Sequence, residues 1–380
     1  MIKKDEIRVC VLGVGYVGEH LMNTFSKYYN VIGIDLSEKR VEYLKTKYPE
    51  IHFQTDYSCI ESCNVFLVSV PTLVKSDKQI DLSCLYSVRD NLKDVIKSGS
   101  LLMVESSVYV GATREIFGFF RERGVFVGFS PERVDPGRTE PPMELIPKVV
   151  SGLDYNSLNK CVDIYSKVID TIVPVSSTEC AEMCKLYENC FRMVNIAYVN
   201  EISDMCDKVG IDVKEMINAS STKPFGFMPF YPGIGVGGHC IPVNPYYLMK
   251  NGSLPVLEYA TNLMEKRPKK KAFELMDKYD SKNVLIVGIG FKTGESLLTN
   301  SPGYDLYKEL VKHTNVDIYD PLVQNNLNTN TCIKFLDKEN FRVTFIKNKY
   351  DLIVINLNID EEDKKVIDYY ERMGGKVHIF

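Results

Sequence analysis

The first 35 residues contain two apolar runs separated by a segment with helical periodicity. Residues 7–12 are apolar and rich in β-branched side chains, and the second run ends at Asp35. Short apolar runs of this kind predict strands, and the segment between them predicts a helix. Together the three elements form a βαβ unit, and its first turn contains the spacing GxGxxG.

Strands and helices continue to alternate after this unit. Apolar runs at 65–70, 101–105 and 125–129 predict strands, and helical patterns occupy 82–96 and 112–123. Such alternation is typical of an α/β domain with a doubly wound parallel sheet.

Each of these predicted strands ends in a polar motif. The motifs are VPT at 70–72, ESS at 105–107 and SPER at 130–133. Ligands of doubly wound sheets bind at the carboxyl ends of the strands. We therefore expect the three motifs to face one crevice.

A long helix is predicted in the middle of the chain. Residues 177–209 keep a helical pattern without glycine or proline. A helix of this length usually links domains or builds a dimer. Lys185 and Asn189 are four residues apart and therefore share a face of this helix. Taken alone, such a pair is more often a solvated surface pair than part of a site.

The C-terminal part repeats features of the start. The segment KNVLIVGIGFK, from Lys282, again places a glycine turn after an apolar run, and VDIYD at 316–320 resembles VIGID at 31–35. The predicted fold is therefore α/β, with two Rossmann-like doubly wound domains joined by a long central helix. The basic run at 266–271 precedes the second domain and is interpreted as a solvated boundary.

Composition narrows the class of protein. With 45% hydrophobic and 25% charged residues, the chain is typical of a globular protein of two or three domains. The net charge of −4 argues against nucleic acid as the main partner. No apolar run approaches the roughly 20 residues of a membrane span, and residues 1–9 carry charge where a secretory signal would be apolar. We expect a cytoplasmic enzyme without a membrane partner.

The eleven cysteines are more consistent with reduced thiols than with a disulfide framework, because we expect no export signal. Cys180, Cys184 and Cys190 lie together in the predicted central helix. No histidine lies nearby and the sequence contains no CxxC, so we expect no metal site.

The GxGxxG turn has the context of a dinucleotide site, since it follows a strand, opens a helix and precedes an acidic residue. Gly13 makes the tight turn, Gly15 allows a pyrophosphate to approach the backbone, and Gly18 allows the helix to pack on the strand. Asp35 is expected to bind the ribose hydroxyls and to repel a 2′-phosphate, which favours NAD over NADP. The alternative is a purely structural turn followed by an exposed aspartate.

A second glycine-rich segment, YPGIGVGGHCIPVNPYYL at 231–248, surrounds a single thiol. Glycines allow positive φ or a close approach of the backbone to a ligand, and here they stop just before Cys240. The segment predicts a loop around a ligand, with a reactive sulfur at its end.

These motifs together resemble the nucleotide-sugar 6-dehydrogenases of the UDP-glucose/GDP-mannose dehydrogenase superfamily, over nearly the whole chain. The resemblance is strongest to the branch that acts on UDP-N-acetylhexosamines. It rests on GVGYVG at 13–18, SPERVDPG at 130–137, IPKVVSG at 146–152, STKPFGFMPFYPGIGVGGHCIPVNPYYL at 221–248 and GIGFK at 288–292.

The resemblance implies a four-electron oxidation of the C6 alcohol of the sugar to a carboxylate, with two NAD+ per sugar. Cys240 would attack the C6 aldehyde, and the thiohemiacetal would be oxidised to a thioester that water hydrolyses. It further implies an NAD-binding domain at 1–176, a central dimerisation and catalytic-cysteine segment at 177–270, and a UDP-sugar-binding domain at 271–380. The active site is expected between the two Rossmann-like domains, and the protein is expected to be a homodimer.

Roles for single residues follow from the same resemblance. Lys185 would stabilise the oxyanions formed at C6, with help from Asn189. Glu132 resembles the carboxylate associated with thioester hydrolysis, and Ser107 takes the place of a water-holding threonine. The cofactor is assigned to Gly13, Gly15, Tyr16, Val17, Gly18, Asp35, Thr72 and Ser107. The nucleotide sugar is assigned to Lys185, Asn189, Tyr231, Gly233, Gly235, Gly237, Gly238, His239, Phe291 and Lys292.

His239 adjoins the thiol but is interpreted as a backbone or substrate contact, because adjacent residues rarely point at one reacting atom. Two departures from the family pattern concern the remaining machinery. Asn244 stands where the family has an aspartate, and it retains hydrogen bonding without a negative charge. Thr299 and Asn300 stand where the family usually has an arginine and a glutamate.

These departures leave three hypotheses open. The first is a working UDP-N-acetylhexosamine 6-dehydrogenase. The second is a catalytically impaired homologue that binds a UDP-sugar or NAD, and the third is an oxidoreductase that stops at the aldehyde or acts on another sugar carbon. Glucose, N-acetylglucosamine and N-acetylgalactosamine derivatives all remain candidate substrates.

Overall fold

The structure, a computed structural model, describes residues 7–75, 77–134, 140–325, 333–357 and 359–380. Part of the motif SPERVDPG, residues 135–137, lies outside the described residues. The chain divides into two compact units. Unit 1 is Met1–Glu188 with Tyr246–Ser253, and unit 2 is Asn189–Pro245 with Leu254–Phe380.

Unit 1 is built around an eight-stranded sheet. Its strands are β1 (Arg8–Leu12), β2 (Asn30–Ile34), β3 (His52–Gln54), β4 (Val65–Val68), β7 (Leu101–Val104), β8 (Phe126–Phe129), β9 (Lys148–Gly152) and β10 (Ile172–Pro174), with β5 (Leu73–Val74) and β6 (Ile80–Asp81) forming a separate hairpin. The order is β10-β9-β8-β7-β4-β1-β2-β3, and of these pairs β8–β9 is antiparallel while the others are parallel. Successive residues of β1 enter the cores on opposite faces, since Val9 and Val11 belong to one cluster and Cys10 and Leu12 to the other. The predicted doubly wound sheet is confirmed.

Helices cover both faces of this sheet, because a parallel sheet must bury both faces. They are α1 (Tyr16–Ser26), α2 (Glu38–Lys47), α3 (Ser83–Leu92), α4 (Ala112–Phe117) and α5 (Tyr155–Tyr165), with 3₁₀ turns at Ile60–Ser62, Gly118–Arg123 and Met143–Leu145. Two predicted helices are shorter than their patterns. The helix predicted over 82–96 ends at Leu92, and the one predicted over 112–123 changes to a 3₁₀ helix at Gly118.

The predicted central helix is confirmed as α6 (Thr178–Val209). The boundary between the two units falls inside it, between Glu188 and Asn189. Ala181, near its start, belongs to a core of unit 1, and Asn200 accepts a hydrogen bond from Gly233 N within unit 2. The two compact units therefore do not coincide with the three segments predicted from the sequence, which meet at 176 and 270. The helices that follow are α7 (Val213–Ser221), α8 (Asn244–Met249) and α9 (Pro255–Tyr279).

Unit 2 contains the second Rossmann-like sheet. Its elements are β11 (Asn283–Val287), α10 (Pro302–Leu310), β12 (Asn315–Tyr319), α11 (Pro321–Gln324), α12 (Val343–Lys349), β13 (Leu352–Ile355), α13 (Glu361–Arg372) and β14 (Lys376–Ile379), with a 3₁₀ turn at Lys338–Asn340. The four strands are parallel in the order β12-β11-β13-β14. Alternate residues of β11 again enter cores on opposite faces of the sheet. The predicted second Rossmann-like domain is confirmed.

The basic run at 266–271 is not a solvated boundary, and this interpretation was wrong. The run lies inside α9, where Arg267 and Lys271 are buried. Both side chains contact the carboxylate of Asp204 on α6, at 2.9 and 2.7 Å. The two cations are four residues apart and share one face of α9, so an acceptor on another helix allows that face to be buried.

Candidate functional site

The turn after β1 has the geometry of a dinucleotide site. Gly13 has φ +85°, and a Cβ there would lie 2.9 Å from the oxygen of Ser69. A Cβ on Gly18 would lie 2.0 Å from the oxygen of Gly13, so the helix packs directly on the turn. At Gly15 no atom lies within 4 Å of the Cβ position, and the backbone there faces open space. These residues fit the pyrophosphate of NAD, because the turn brings open backbone to the start of a helix.

Asp35 lies at the end of β2, as the sequence predicts. Its two carboxylate oxygens each accept a backbone N–H, one from Val14 and one from Ser37, both at 3.0 Å. Sequence reasoning missed Arg40, whose Nε donates to Val14 O at 2.8 Å. The same guanidinium forms an ion pair with Glu19, so it is already engaged beside the turn.

The other assigned cofactor residues surround this turn and the adjacent strand ends. The ring of Tyr16 is exposed and meets His20 edge-on, with ring centroids 4.8 Å apart. Val17 packs partly against the core. Thr72 Oγ1 donates to the main-chain oxygen of Ser107 at 2.7 Å, which joins the ends of β4 and β7. The expected convergence of the polar strand ends is thus confirmed for VPT and ESS.

A buried group of charges joins the second and third strand ends. Lys148 Nζ donates to Glu105 Oε2 at 2.7 Å and to Glu132 Oε2 at 3.1 Å. The side chains of Lys148 and Glu105 are 3% and 0% exposed. Sequence reasoning named Glu132 but did not place Glu105 and Lys148 beside it. The available signal was a lysine that opens the apolar strand β9, within the motif IPKVVSG.

Burial and the shared ammonium shift the three pKa values differently. Burial raises the pKa of Glu105 to about 7, although Lys148 opposes this effect. Burial also acts to raise the pKa of Glu132, but the charge of Lys148 and the N–H of Val134 outweigh it, and this pKa is lowered. For Lys148, burial acts to lower the pKa, and the two carboxylates outweigh it and raise it. Glu132 is therefore ionised at neutral pH, whereas Glu105 titrates there.

Lys185 and Glu132 are brought together. Lys185 Nζ on α6 donates to the main-chain oxygen of Glu132. Arg133, the next residue, donates to Pro147 O at 3.0 Å and forms an ion pair with Glu188 on the same helix. The SPER segment is thus held against the first half of α6.

In unit 2 the glycine-rich loop packs against the segment that follows β11. A Cβ on Gly237 would lie 2.6 Å from Phe291 Cβ, and one on Gly238, at φ +84°, would lie 2.8 Å from the ring of Phe291. The N–H of Gly238 donates to Thr299 O at 3.0 Å, and Asn300 Nδ2 donates to Gly238 O at 2.9 Å. The two residues that depart from the family pattern therefore fasten this loop. Cys240 follows it and is exposed.

Asn244 is a buried partner of Asn189. Asn189 Nδ2 donates to Asn244 Oδ1 at 2.6 Å, and the backbone N–H of Asn244 donates to Cys240 O at 2.9 Å. Both amides are buried. The amide at position 244 thus ties Asn189 to the turn that carries the thiol.

The remaining assigned residues of the loop have distinct environments. Gly233 donates through its N–H to Asn200 Oδ1 at 3.0 Å and accepts from Arg267 Nε at 2.8 Å. A Cβ on Gly235 would lie 3.0 Å from Pro302 Cβ. Tyr231 is exposed and its hydroxyl contacts Asn218 Oδ1 at 3.4 Å. The structure leaves His239 exposed and Lys292 partly buried.

The second Rossmann-like domain reproduces the contact made by Asp35. Gly288 has φ +81° after β11, and Asp320 at the end of β12 accepts the N–H of Ile289 at 2.9 Å and of Gly290 at 3.2 Å. The similarity of VDIYD to VIGID therefore extends from sequence to hydrogen bonding.

Within the described ranges, no three His, Cys, Asp or Glu side chains are grouped in a way that suits a metal ion. The ten cysteines in this part of the chain are free thiols. No helix among the described residues combines the length and the apolar character of a membrane span.

Comparison with known proteins agrees with this geometry. The sequence matches the NAD binding domain of the UDP-glucose/GDP-mannose dehydrogenase family over residues 45–169, and the central domain of that family over residues 179–266. It is 32% identical to a UDP-N-acetyl-D-glucosamine 6-dehydrogenase of Pseudomonas aeruginosa, over 84% of this chain and 83% of the relative. A protein of the same name from Salmonella typhi is 31% identical, over 84% and 83%.

A solved structure of a UDP-D-ManNAc dehydrogenase from Pyrococcus horikoshii has a TM-score of 0.82 and 26% sequence identity, and covers 95% of this chain and 93% of its own. The match to the NAD binding domain of the family lies within unit 1, which also contains the dinucleotide turn, and NAD is the cofactor. The chain belongs to the UDP-glucose/GDP-mannose dehydrogenase family and is an NAD-dependent dehydrogenase.

Proposed function

We propose that the chain oxidises the C6 alcohol of a UDP-N-acetylhexosamine to the carboxylate, with two NAD+ per sugar. The relatives named for UDP-N-acetyl-D-glucosamine and UDP-D-ManNAc support this substrate class. The observation that carries the proposal is Cys240. It is an exposed thiol at the end of a glycine loop, and its turn is bonded to the buried pair Asn189–Asn244.

NAD+, when bound, accepts one hydride in each of the two oxidations. The chain's own residues bind and orient it. The turn from Gly13 to Gly18 takes the pyrophosphate, and Asp35 takes the adenosine ribose. Thr72 and Ser107, joined by a hydrogen bond, lie at the strand ends where a reacting group or a water would be held.

Cys240 is proposed as the nucleophile. Its thiolate forms a bond to C6 of the aldehyde, which gives a thiohemiacetal, and loss of a second hydride gives a thioester. Lys185 is proposed to stabilise the oxyanions at C6, and Asn189 to donate a further hydrogen bond. Glu132 takes one proton from the water that attacks the thioester, and the C–S bond then breaks to release the thiolate and the carboxylic acid, which loses its proton to solvent.

The nucleotide sugar is proposed to bind the loop of unit 2 and the segment after β11. Gly237 and Gly238 approach it with bare backbone. Phe291 occupies the positions that Cβ atoms on these two residues would fill. Lys292 supplies a positive charge near this loop. The substrate assignments to Tyr231, Gly233, Gly235 and His239, and the division into NAD-binding, central and UDP-sugar-binding segments, belong to the same proposal.

A homodimer through α6 is part of the proposal. The helix exposes large apolar side chains, among them Tyr187 and Tyr198. In unit 2, an apolar cavity of about 690 Å³ lies beside the helix, and it is lined in part by Phe191, Phe227 and Phe230. Exposed apolar surface of this kind marks an interaction site. Light scattering that finds a monomer would contradict this assignment.

The test of the activity is NADH formation at 340 nm with NAD+ and UDP-N-acetylglucosamine, UDP-N-acetylgalactosamine, UDP-N-acetylmannosamine or UDP-glucose. We expect two NADH and one uronic acid per sugar. Cys240→Ser should abolish acid formation, and Cys84→Ser, another exposed cysteine, should leave it unchanged.

Asn244→Asp tests whether the amide has altered the chemistry. Wild-type activity shows that Asn244 is tolerated. Activity in Asn244→Asp alone means that the wild type is an impaired homologue. One NADH per sugar means that oxidation stops at the aldehyde. If neither protein forms NADH, the proposed enzyme activity is refuted in favour of a binding protein.

A further inference from the structure

The buried charges around Lys148 suggest more than a structural ion pair. The three N–H groups of the ammonium have three described acceptors: Glu105 Oε2, Glu132 Oε2 and Pro131 O, at 2.7, 3.1 and 3.2 Å. The amine is therefore held in one orientation, and two carboxylates divide one positive charge.

Glu132 is fixed from both sides but keeps room for one more donor. Its Oε1 accepts the backbone N–H groups of Arg133 and Val134, at 2.6 and 2.7 Å, and its Oε2 accepts Lys148. A carboxylate offers about four acceptor positions. Three are used within the described part of the chain, so one position suits a water.

We propose that Lys148 is a positioning residue for Glu132. Its ammonium orients the Glu132 carboxylate and keeps it ionised for hydrolysis of the thioester. The inference rests on the hydrolytic role proposed for Glu132.

The charged and titratable groups around both carboxylates set the direction of the effect. Glu105 is faced by Lys148 on β9, by Glu132, and by Tyr165 and Cys161 on α5. Glu132 is faced by Lys148, by Lys185 on α6 and by Glu105. Removing the ammonium leaves two buried carboxylates side by side and should raise the pKa of Glu132. Burial raises the pKa of Glu105 to about 7, so Glu105 is protonated where Glu132 titrates, and a neutral amide in its place should leave the pKa of Glu132 nearly unchanged.

Two variants on opposite sides of the ion pair therefore have different effects on pH dependence. A base is active when ionised, so the acid limb of the hydrolysis rate follows its pKa. In Lys148→Met, loss of an opposite charge at this distance should move the limb to higher pH by roughly 1–3 units. In Glu105→Gln the limb should stay near its wild-type position, because burial raises the pKa of Glu105 to about 7 and this carboxyl is already protonated in the pH range of the limb. Lys148→Arg keeps the cation and should leave the limb near its wild-type position.

The experiment measures uronic acid formation from about pH 3.5 to 10 in the wild type and the three variants, with thermal unfolding of each protein at each pH as a check of folding. Acid-quenched Lys148→Met at pH 7 should also carry the sugar acyl group on Cys240, detected by intact mass, because hydrolysis is slowed. If Lys148→Met does not fold, Lys148→Gln, which also removes the charge but keeps a polar side chain, takes its place.

Equal loss of rate at every pH in Lys148→Met, or a limb that moves to higher pH by the same amount in Glu105→Gln, would overturn the inference. A limb that stays in place in Lys148→Met would do the same. Failure of the proposed function is a separate result, because it appears as no acid from the wild type or as acid formation that survives in Cys240→Ser.

Discussion

Asp204 on α6 should be a major source of stability in unit 2, because it forms ion pairs with three cations of α9. It accepts two hydrogen bonds from Arg267 at 2.9 Å, and it pairs with Lys270 at 2.8 Å and Lys271 at 2.7 Å. The side chains of Arg267 and Lys271 are only 6% and 10% exposed. Asp204→Asn keeps the shape of the side chain and removes the charge that these two buried cations require.

The expected cost follows from what remains in the variant. Breaking a buried ion pair by removing one partner costs about 3–5 kcal/mol. Arg267 retains its bond to Gly233 O, and Lys271 retains Glu274 at 2.7 Å, which places the estimate at the lower end, about 3 kcal/mol. For units of 150–250 residues this corresponds to a fall in Tm of roughly 6–12 °C.

The assay is thermal and urea unfolding at pH 7 of the wild type, Asp204→Asn and Lys270→Met. Lys270 binds the same carboxylate but is 57% exposed, so its removal should cost less than about 1 kcal/mol. An Asp204→Asn protein as stable as Lys270→Met would refute the reasoning, because the buried cations would then need no anion.

The stability that Asp204 contributes should depend on pH in a definite direction. Burial acts to raise the pKa of Asp204, but hydrogen bonds from Arg267, Lys270 and Lys271 outweigh it and hold this pKa below its ordinary value. The stability that Asp204 contributes is therefore present above the unfolded-state pKa of about 3.9, and is lost as the pH falls through the lower folded-state pKa. The difference in unfolding free energy between wild type and Asp204→Asn should accordingly shrink in acid.

Two further predictions concern the glycine loop and a buried carboxyl. Gly238→Ala should raise the KM for the UDP-sugar about tenfold, because Gly238 has φ +84° and meets the ring of Phe291. Gly210 has φ +74° but lies in open space, so Gly210→Ala should leave KM unchanged. Equal KM values in the two variants would contradict this prediction. Burial raises the pKa of Glu182 to about 7, so the unfolding free energy of the wild type should fall relative to Glu182→Gln by about 1.4 kcal/mol per pH unit from about pH 4.5 to 7. A constant difference across that range would show that Glu182 does not titrate with the raised pKa.

Much of the fold and part of the site could be predicted from local patterns. The glycines of the first turn, Asp35 and the helix Thr178–Val209 were identified from spacing and periodicity, and the structure has them in the expected places. Such features depend on backbone conformation and on which residues alternate toward a core, and neighbouring residues determine both.

Ionisable residues were predicted less well. The run at 266–271 was interpreted as solvated, yet Arg267 is buried against an aspartate 63 residues earlier in the chain. Lys148 gave no sign that its partner would be Glu105, 43 residues away. Both errors concern charges whose acceptors lie on distant segments.

The sequence by itself therefore determined the α/β class, the dinucleotide turn, the central helix and the thiol in its glycine loop. Only the tertiary structure decided which charges are buried, that Glu132 shares Lys148 with Glu105, and that Asn244 holds Asn189. The physical reason is that burying a charge or an amide costs free energy unless partners are present. Those partners come from segments that are far apart in the chain, so no local pattern specifies them.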